Sequence, residues 1–144
     1  MTAPFLPLVW SAQLETGVPE IDEQHRILVQ TLNEAGASLA HQPRMEHLEK
    51  ITQDLLAYAL YHFDMEETLM AETGYASAAG PAAAEHEQQH RAFAARAVAL
   101  RDEVRSGAPD AAQHLLDFIH QWLIHHILQT DQLLAAHVLA QREA

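Results

Sequence analysis

An all-α fold, an up-down-up-down antiparallel four-helix bundle with an N-terminal arm, is predicted by three observations. Four long stretches carry apolar residues at spacings of 3 and 4, the signature of amphipathic helices. Breakers are rare, with Gly 5 and Pro 6 in 144 residues, and apart from Gly36 they fall between those stretches. Nothing reads as a strand, and 26 alanines favour helix and close packing.

The first 17 residues hold Phe5, Leu6, Leu8, Val9 and Trp10 but are interrupted by Pro4 and Pro7, so they read as an arm lying on the bundle. Helices are expected near 20–40, 44–73, 82–106 and 110–139. Pro43, Pro81 and Pro109 each fit a first helical turn, where a missing N–H costs little. Gly74 and Gly107 fit the C-terminal ends of the second and third helices. The short connections join antiparallel neighbours. One domain is expected over 1–144, with the arm at 1–18 and the bundle at about 19–139. No 20- to 50-residue repeat interrupts that reading.

Composition narrows the function classes. Acids outnumber bases 20 to 8, for a net charge of −12, a field that repels nucleic acid and anionic membrane surfaces. Cysteine is absent, which removes disulfides, thiol nucleophiles and cysteine-based metal sites. No run approaches a membrane span and no signal peptide opens the chain, so a cytoplasmic location is expected. The unusual feature is 11 histidines beside a single lysine, Lys50.

Several of those histidines share helix faces with core residues. His62 and Glu66 are four apart, on the stripe of Leu55, Tyr58, Leu69 and Thr73. His86 and His90 repeat that spacing and continue into Phe93, Ala97 and Leu100. His25 lies one turn before Leu28 and Val29. His126 falls on the stripe of Leu115, Ile119, Trp122 and Leu133. Five inward imidazoles and an inward carboxylate need partners, because an unpaired buried charge costs several kcal/mol. A metal centre on the bundle axis satisfies them together. The ligand count exceeds a four-ligand structural zinc site and fits a two-metal site better. A ferritin-like di-iron site wants two Glu-x-x-His pairs, and only Glu87 to His90 is present.

The runs Trp10…Leu14-x-x-Gly17-Val18…Ile21-Asp22-x-Gln24-His25, His62-Phe63-x-x-Glu66-Glu67-x-x-Met70, His86-x-x-x-His90-x-x-Phe93 and Trp122-Leu123-x-x-His126-Ile127-x-x-x-Asp131 resemble the hemerythrin family in its bacterial branch. The resemblance spans about residues 10–135. It implies seven iron ligands: His25, His62, Glu66, His86, His90, His126 and Asp131. By the same resemblance His86, His90 and His126 hold one iron, and His25 and His62 the other. Glu66, Asp131 and an oxo/hydroxo group bridge the pair, leaving one position for dioxygen. Periodicity alone does not reach Asp131. The five-residue step from His126 turns about 140° on a regular helix, so a bridging Asp131 needs a π-type turn or a site between helices.

Leu28, Phe63, Trp122, Leu123 and Ile127 are the expected lining of an apolar oxygen pocket. The expected function is reversible dioxygen binding, as carrier, store or delivery protein, and not enzymatic. An oxidase or peroxidase is disfavoured by saturated histidine ligation and the lack of an acid–base pair. A sensor working through a separate partner, and iron storage or metal buffering, are the alternatives. Beyond dioxygen, the partners that fit are an oxygen-consuming enzyme or a signalling protein. His41, His47, His114, His120, His125 and His137 read as surface histidines, and Glu67 as a solvated acid. The stretch from Tyr75 to His86 is longer than the family usually uses, and Gly80-Pro81 there predicts an extended loop or extra turn.

Overall fold

Leu8 is the first residue that the structure, a computed structural model, describes; the described residues are 8–39 and 45–143. His41 and Pro43 therefore lie outside them. After a single 3-10 turn at Ala12–Leu14, the chain forms α1 (Pro19–Leu39), α2 (Met45–Thr73), the short α3 (Tyr75–Ala78), α4 (Gly80–Arg105) and α5 (Ala111–His125). A π-helical turn, His126–Thr130, then leads directly into α6 (Asp131–Glu143). Packing runs α1 on α2, α2 on α4, α4 on α5 and α5 back on α1, which closes the four-helix bundle. Among the described residues there is no strand, and no helix long and apolar enough to cross a membrane.

Asp22, in the first turn of α1, holds the incoming chain. Its carboxylate accepts from Thr16 N–H (2.8 Å), Thr16 Oγ (2.8 Å) and Gly17 N–H (3.1 Å). Gly17 sits at φ 89°, a conformation that favours glycine, and a Cβ there would meet Leu139 Cδ1 at 3.2 Å, so that side chain would have to give way. This clasp sets the register of α1, one turn before His25. On either side of it Leu8, Leu14 and Val18 are buried, so this part of the arm packs on the bundle.

The segment from Tyr75 to His86 is helical rather than an open loop. Gly74, at φ 69°, ends α2, and α3 supplies an extra turn that buries Tyr75. α4, the helix expected near 82–106, begins slightly earlier, at Gly80, with Pro81 in its first turn. Pro109 is not in a first turn. The reversal runs from Gly107 (φ 78°) to Asp110 (φ 57°), so Pro109 occupies the turn and the helix starts at Ala111. A residue without an N–H suits either position.

Two apolar clusters fill the bundle. One is built around Leu28, Leu32, Leu55, Phe63, Phe93, Leu115, Ile119 and Ile127, the other around Val18, Ile21, Leu69, Tyr75, Leu134 and Val138. The buried histidines and carboxylates fall at the boundary between them. His25 lies between Ile21 and Leu28, Glu66 between Phe63 and Leu69, and Asp131 between Ile127 and Leu134.

Candidate metal centre

The four helices converge on one polar layer in which His25, His62, Glu66 and Asp131 are 0% exposed, His86 and His126 1%, and His90 3%. All seven residues singled out from the sequence are thus brought together. They form two four-membered groups, Glu66 with His86, His90 and His126, and His25 with His62, Glu66 and Asp131.

Six of the seven arrive by ordinary helical spacing. Asp131 arrives by the π-turn, in which its N–H bonds back to the His126 carbonyl, five residues earlier. A wider turn rotates each residue less than 100°, so the five-residue step closes onto the His126 face. Everything downstream shifts by one position. Leu133, expected on the inward stripe, is 60% exposed, and Leu134 takes its place at 0%.

The carboxylates face imidazoles on several sides. Asp131 Oδ2 lies 2.8 Å from His25 Nε2, while its Oδ1 lies 2.8 Å from His126 Nε2 and 3.1 Å from His86 Nε2. Glu66 Oε1 lies 3.1 Å from His62 Nε2 and 3.3 Å from His90 Nε2, and its Oε2 3.6 Å from His86 Nε2. Close as these atoms are, no carboxylate oxygen of Glu66 or Asp131 is in hydrogen-bond geometry with a donor among the described residues. Imidazole nitrogens also face each other, His25 to His62 at 3.1 Å and His90 to His126 at 3.2 Å. About 3 Å is the separation of two nitrogens bound at right angles to one metal through bonds of about 2.1 Å. Buried carboxylate oxygens without donors, gathered among imidazole nitrogens at that spacing, are what a cation requires. The residues fit a metal site.

The electrostatics agree. Burial alone would push the Glu66 carboxyl up, but His62, His126 and His86 outweigh it and hold it well below the ordinary range. Asp131 is likewise lowered, with burial and Glu66 opposed by His126 and His25. Burial lowers His126, yet Asp131 and Glu66 carry it up to about 9. His86 is raised on the same balance, whereas for His90 burial prevails and lowers it. Among the described residues, the basic side chains that face the two carboxylates are all histidines.

Aromatic and aliphatic groups close the layer. Phe63 stacks on His90 (4.1 Å, 13° between planes) and Trp122 on His126 (4.3 Å, 16°). Leu28, Leu123 and Ile127 are buried, and Trp122 is half-buried. Of the remaining histidines His47, His114 and His125 are exposed as expected. His120 and His137 are half-buried instead, and His137 Nε2 donates to the Thr73 carbonyl at 2.7 Å, closing the end of α2. Glu67 is partly exposed, with Oε2 3.9 Å from His90 Nδ1, and burial followed by Glu87 pushes its carboxyl up. Sequence reasoning quoted Gln24 without a role and missed Gln89: Gln24 Oε1 is 2.8 Å from His62 Nδ1, and Gln89 Oε1 is 2.9 Å from His126 Nδ1. The available signal was their place directly before His25 and His90.

The family model for the hemerythrin HHE cation binding domain matches residues 16–138. The chain belongs to the hemerythrin family. Its relatives include the bacteriohemerythrin of Stenotrophomonas maltophilia, 32% identical over 133 residues, covering 92% of this chain and 82% of that protein. That of Pseudomonas paraeruginosa is 33% identical over 128 residues, covering 86% and 76%. Among solved structures, a wild-type hemerythrin superposes with a TM-score of 0.79 at 26% identity, covering 91% of this chain and 97% of that one. The two histidine–carboxylate groups thus lie in a hemerythrin cation-binding domain on a hemerythrin four-helix bundle.

Proposed function

We propose that this chain binds dioxygen reversibly at a pair of iron ions, as a non-enzymatic carrier, store or delivery protein. His86, His90 and His126 would hold one iron and His25 and His62 the other, with Glu66, Asp131 and an oxo/hydroxo group bridging them. The observation that carries this reading is the division of seven buried groups into two clusters with Glu66 common to both. Asp131 supports it independently, because its two oxygens face opposite sides, Oδ2 towards His25 and Oδ1 towards His86 and His126.

When bound, two ferrous ions supply the two electrons that dioxygen takes up on binding, one from each. The protein's part is to hold neutral imidazoles with their Nε2 lone pairs inward and to balance cationic charge with two carboxylates. Phe63 and Trp122, stacked on His90 and His126, keep those rings from turning. The side chains of Leu28, Leu123 and Ile127 exclude water and anions, which would assist loss of a reduced oxygen species. Burial of all seven residues, 0–3% exposed, suits the centre to a ligand as small as dioxygen.

The test is anaerobic loading with ferrous iron, followed by metal analysis and oxygen-electrode measurement. The reading expects two irons per chain and one dioxygen taken up per pair, released again under argon. One zinc and no iron after loading, or consumption of oxygen with no release, would refute it.

A further inference from the structure

Resting on the paired-iron reading, the proposal here concerns two residues outside the ligand set. Each four-membered group contains one histidine whose outer nitrogen has a partner: His62 Nδ1 with Gln24 Oε1 at 2.8 Å, and His126 Nδ1 with Gln89 Oε1 at 2.9 Å. The outer nitrogens of His25, His86 and His90 have no hydrogen-bond partner among the described residues. Both braces cross between helices. Gln24 precedes His25 on α1 but reaches His62 on α2, and Gln89 precedes His90 on α4 but reaches His126 at the head of the π-turn.

We propose that Gln24 and Gln89 are positioning residues, each assigned to one metal position. Each makes its neighbour helix's imidazole carry the proton on Nδ1, so that Nε2 is left as the ligating lone pair. A histidine bound through one nitrogen needs an acceptor for its other N–H, which fixes both tautomer and ring orientation. An amide oxygen does this without adding charge, whereas a carboxylate would make the imidazole a stronger donor. Gln89 Oε1 accepts a second bond, from Thr130 Oγ1 at 2.8 Å, so the same amide ties α4 to the turn that delivers Asp131. Consecutive Gln-His residues thus supply one ligand directly and orient another on the next helix, once in each half of the bundle.

The test is stepwise ferrous-iron titration against a competing chelator, on the full chain, with Gln24→Leu, Gln89→Leu, the double variant and the two glutamate variants. Leucine fills the space but accepts no bond. Each single leucine variant is expected to bind one ferrous ion about 10–100-fold more weakly while retaining the other, and the double variant to weaken both. Gln24→Glu and Gln89→Glu should restore affinity and lower the midpoint potential, because a more basic imidazole favours ferric iron. Unchanged affinity in both leucine variants would overturn the proposal. Equal weakening of both ions by each leucine variant, with no rescue by glutamate, would overturn it too, leaving the glutamines a role in folding alone. Failure of the wild-type chain to take two ferrous ions would refute the paired-iron reading itself, and shows before any substitution is made.

Discussion

Leu123→Ala separates packing from gating. Leu123 is 4% exposed in the larger apolar cluster, one residue after the indole stacked on His126. Truncation removes three buried carbons, about 2–3 kcal/mol of transfer free energy. The cavity left behind raises the total to about 3–4 kcal/mol, within the usual range for buried leucines. At about 2.1 cal/mol/K per residue, the 144-residue chain has an unfolding entropy near 0.3 kcal/mol/K, so Tm should fall by about 10 °C. Leu133→Ala is the matched control, since Leu133 is 60% exposed and its loss should cost no more than about 0.5 kcal/mol. Calorimetry of iron-loaded protein reads the first effect. The second is read optically, well below either Tm, as the lifetime of the oxygenated protein. Leu123→Ala should still bind two irons but autoxidise faster, because water and anions gain access. A Tm change as small as the Leu133→Ala control would refute the packing argument. An unchanged lifetime in fully folded protein would reduce Leu123 to core packing.

Ligand truncations should part from surface ones. His62→Ala and Glu66→Ala should each lose iron and lower the Tm of the loaded protein, whereas His47→Ala and His114→Ala should do neither, as metal analysis and calorimetry would show. Truncating His137 should leave iron intact but cost about 1 kcal/mol, the bond to the Thr73 carbonyl at the end of α2. Ferrous binding should also depend on pH with a definite sign. His126, raised to about 9, carries a proton below that pH which iron must displace. Apparent affinity should therefore rise by about tenfold per pH unit well below 9 and level off above it, and proton release should appear as buffer-dependent binding enthalpy. A flat profile would show that His126 binds without losing a proton.

The bundle and most of the centre are legible in the sequence because both obey a local period. His62 with Glu66 and His86 with His90 are visible as i, i+4 pairs on apolar stripes, and tertiary contacts only had to bring the stripes together. Asp131 is different. Its position depends on a π-turn, and the backbone bond that widens it, from Asp131 N–H to the His126 carbonyl, leaves no mark in hydrophobic periodicity. The same turn explains why a regular stripe extended through His126 selects Leu133 when Leu134 is the buried one. The roles of Gln24 and Gln89 are hidden for another reason. Their amides act across helix boundaries, on partners 38 and 37 residues away, a distance over which spacing carries no information. His137 reads as a surface residue because its partner is a backbone carbonyl at a helix end, and a carbonyl has no sequence signature.

Repeated oxygen–argon cycling of one iron-loaded sample, followed optically, tests the central claim most directly. The account predicts two irons per chain and a charge-transfer band that appears with one dioxygen per iron pair, vanishes under argon and returns undiminished over several cycles. A band that forms once and does not reverse, or iron bound with no oxygen-dependent spectrum at all, would contradict it.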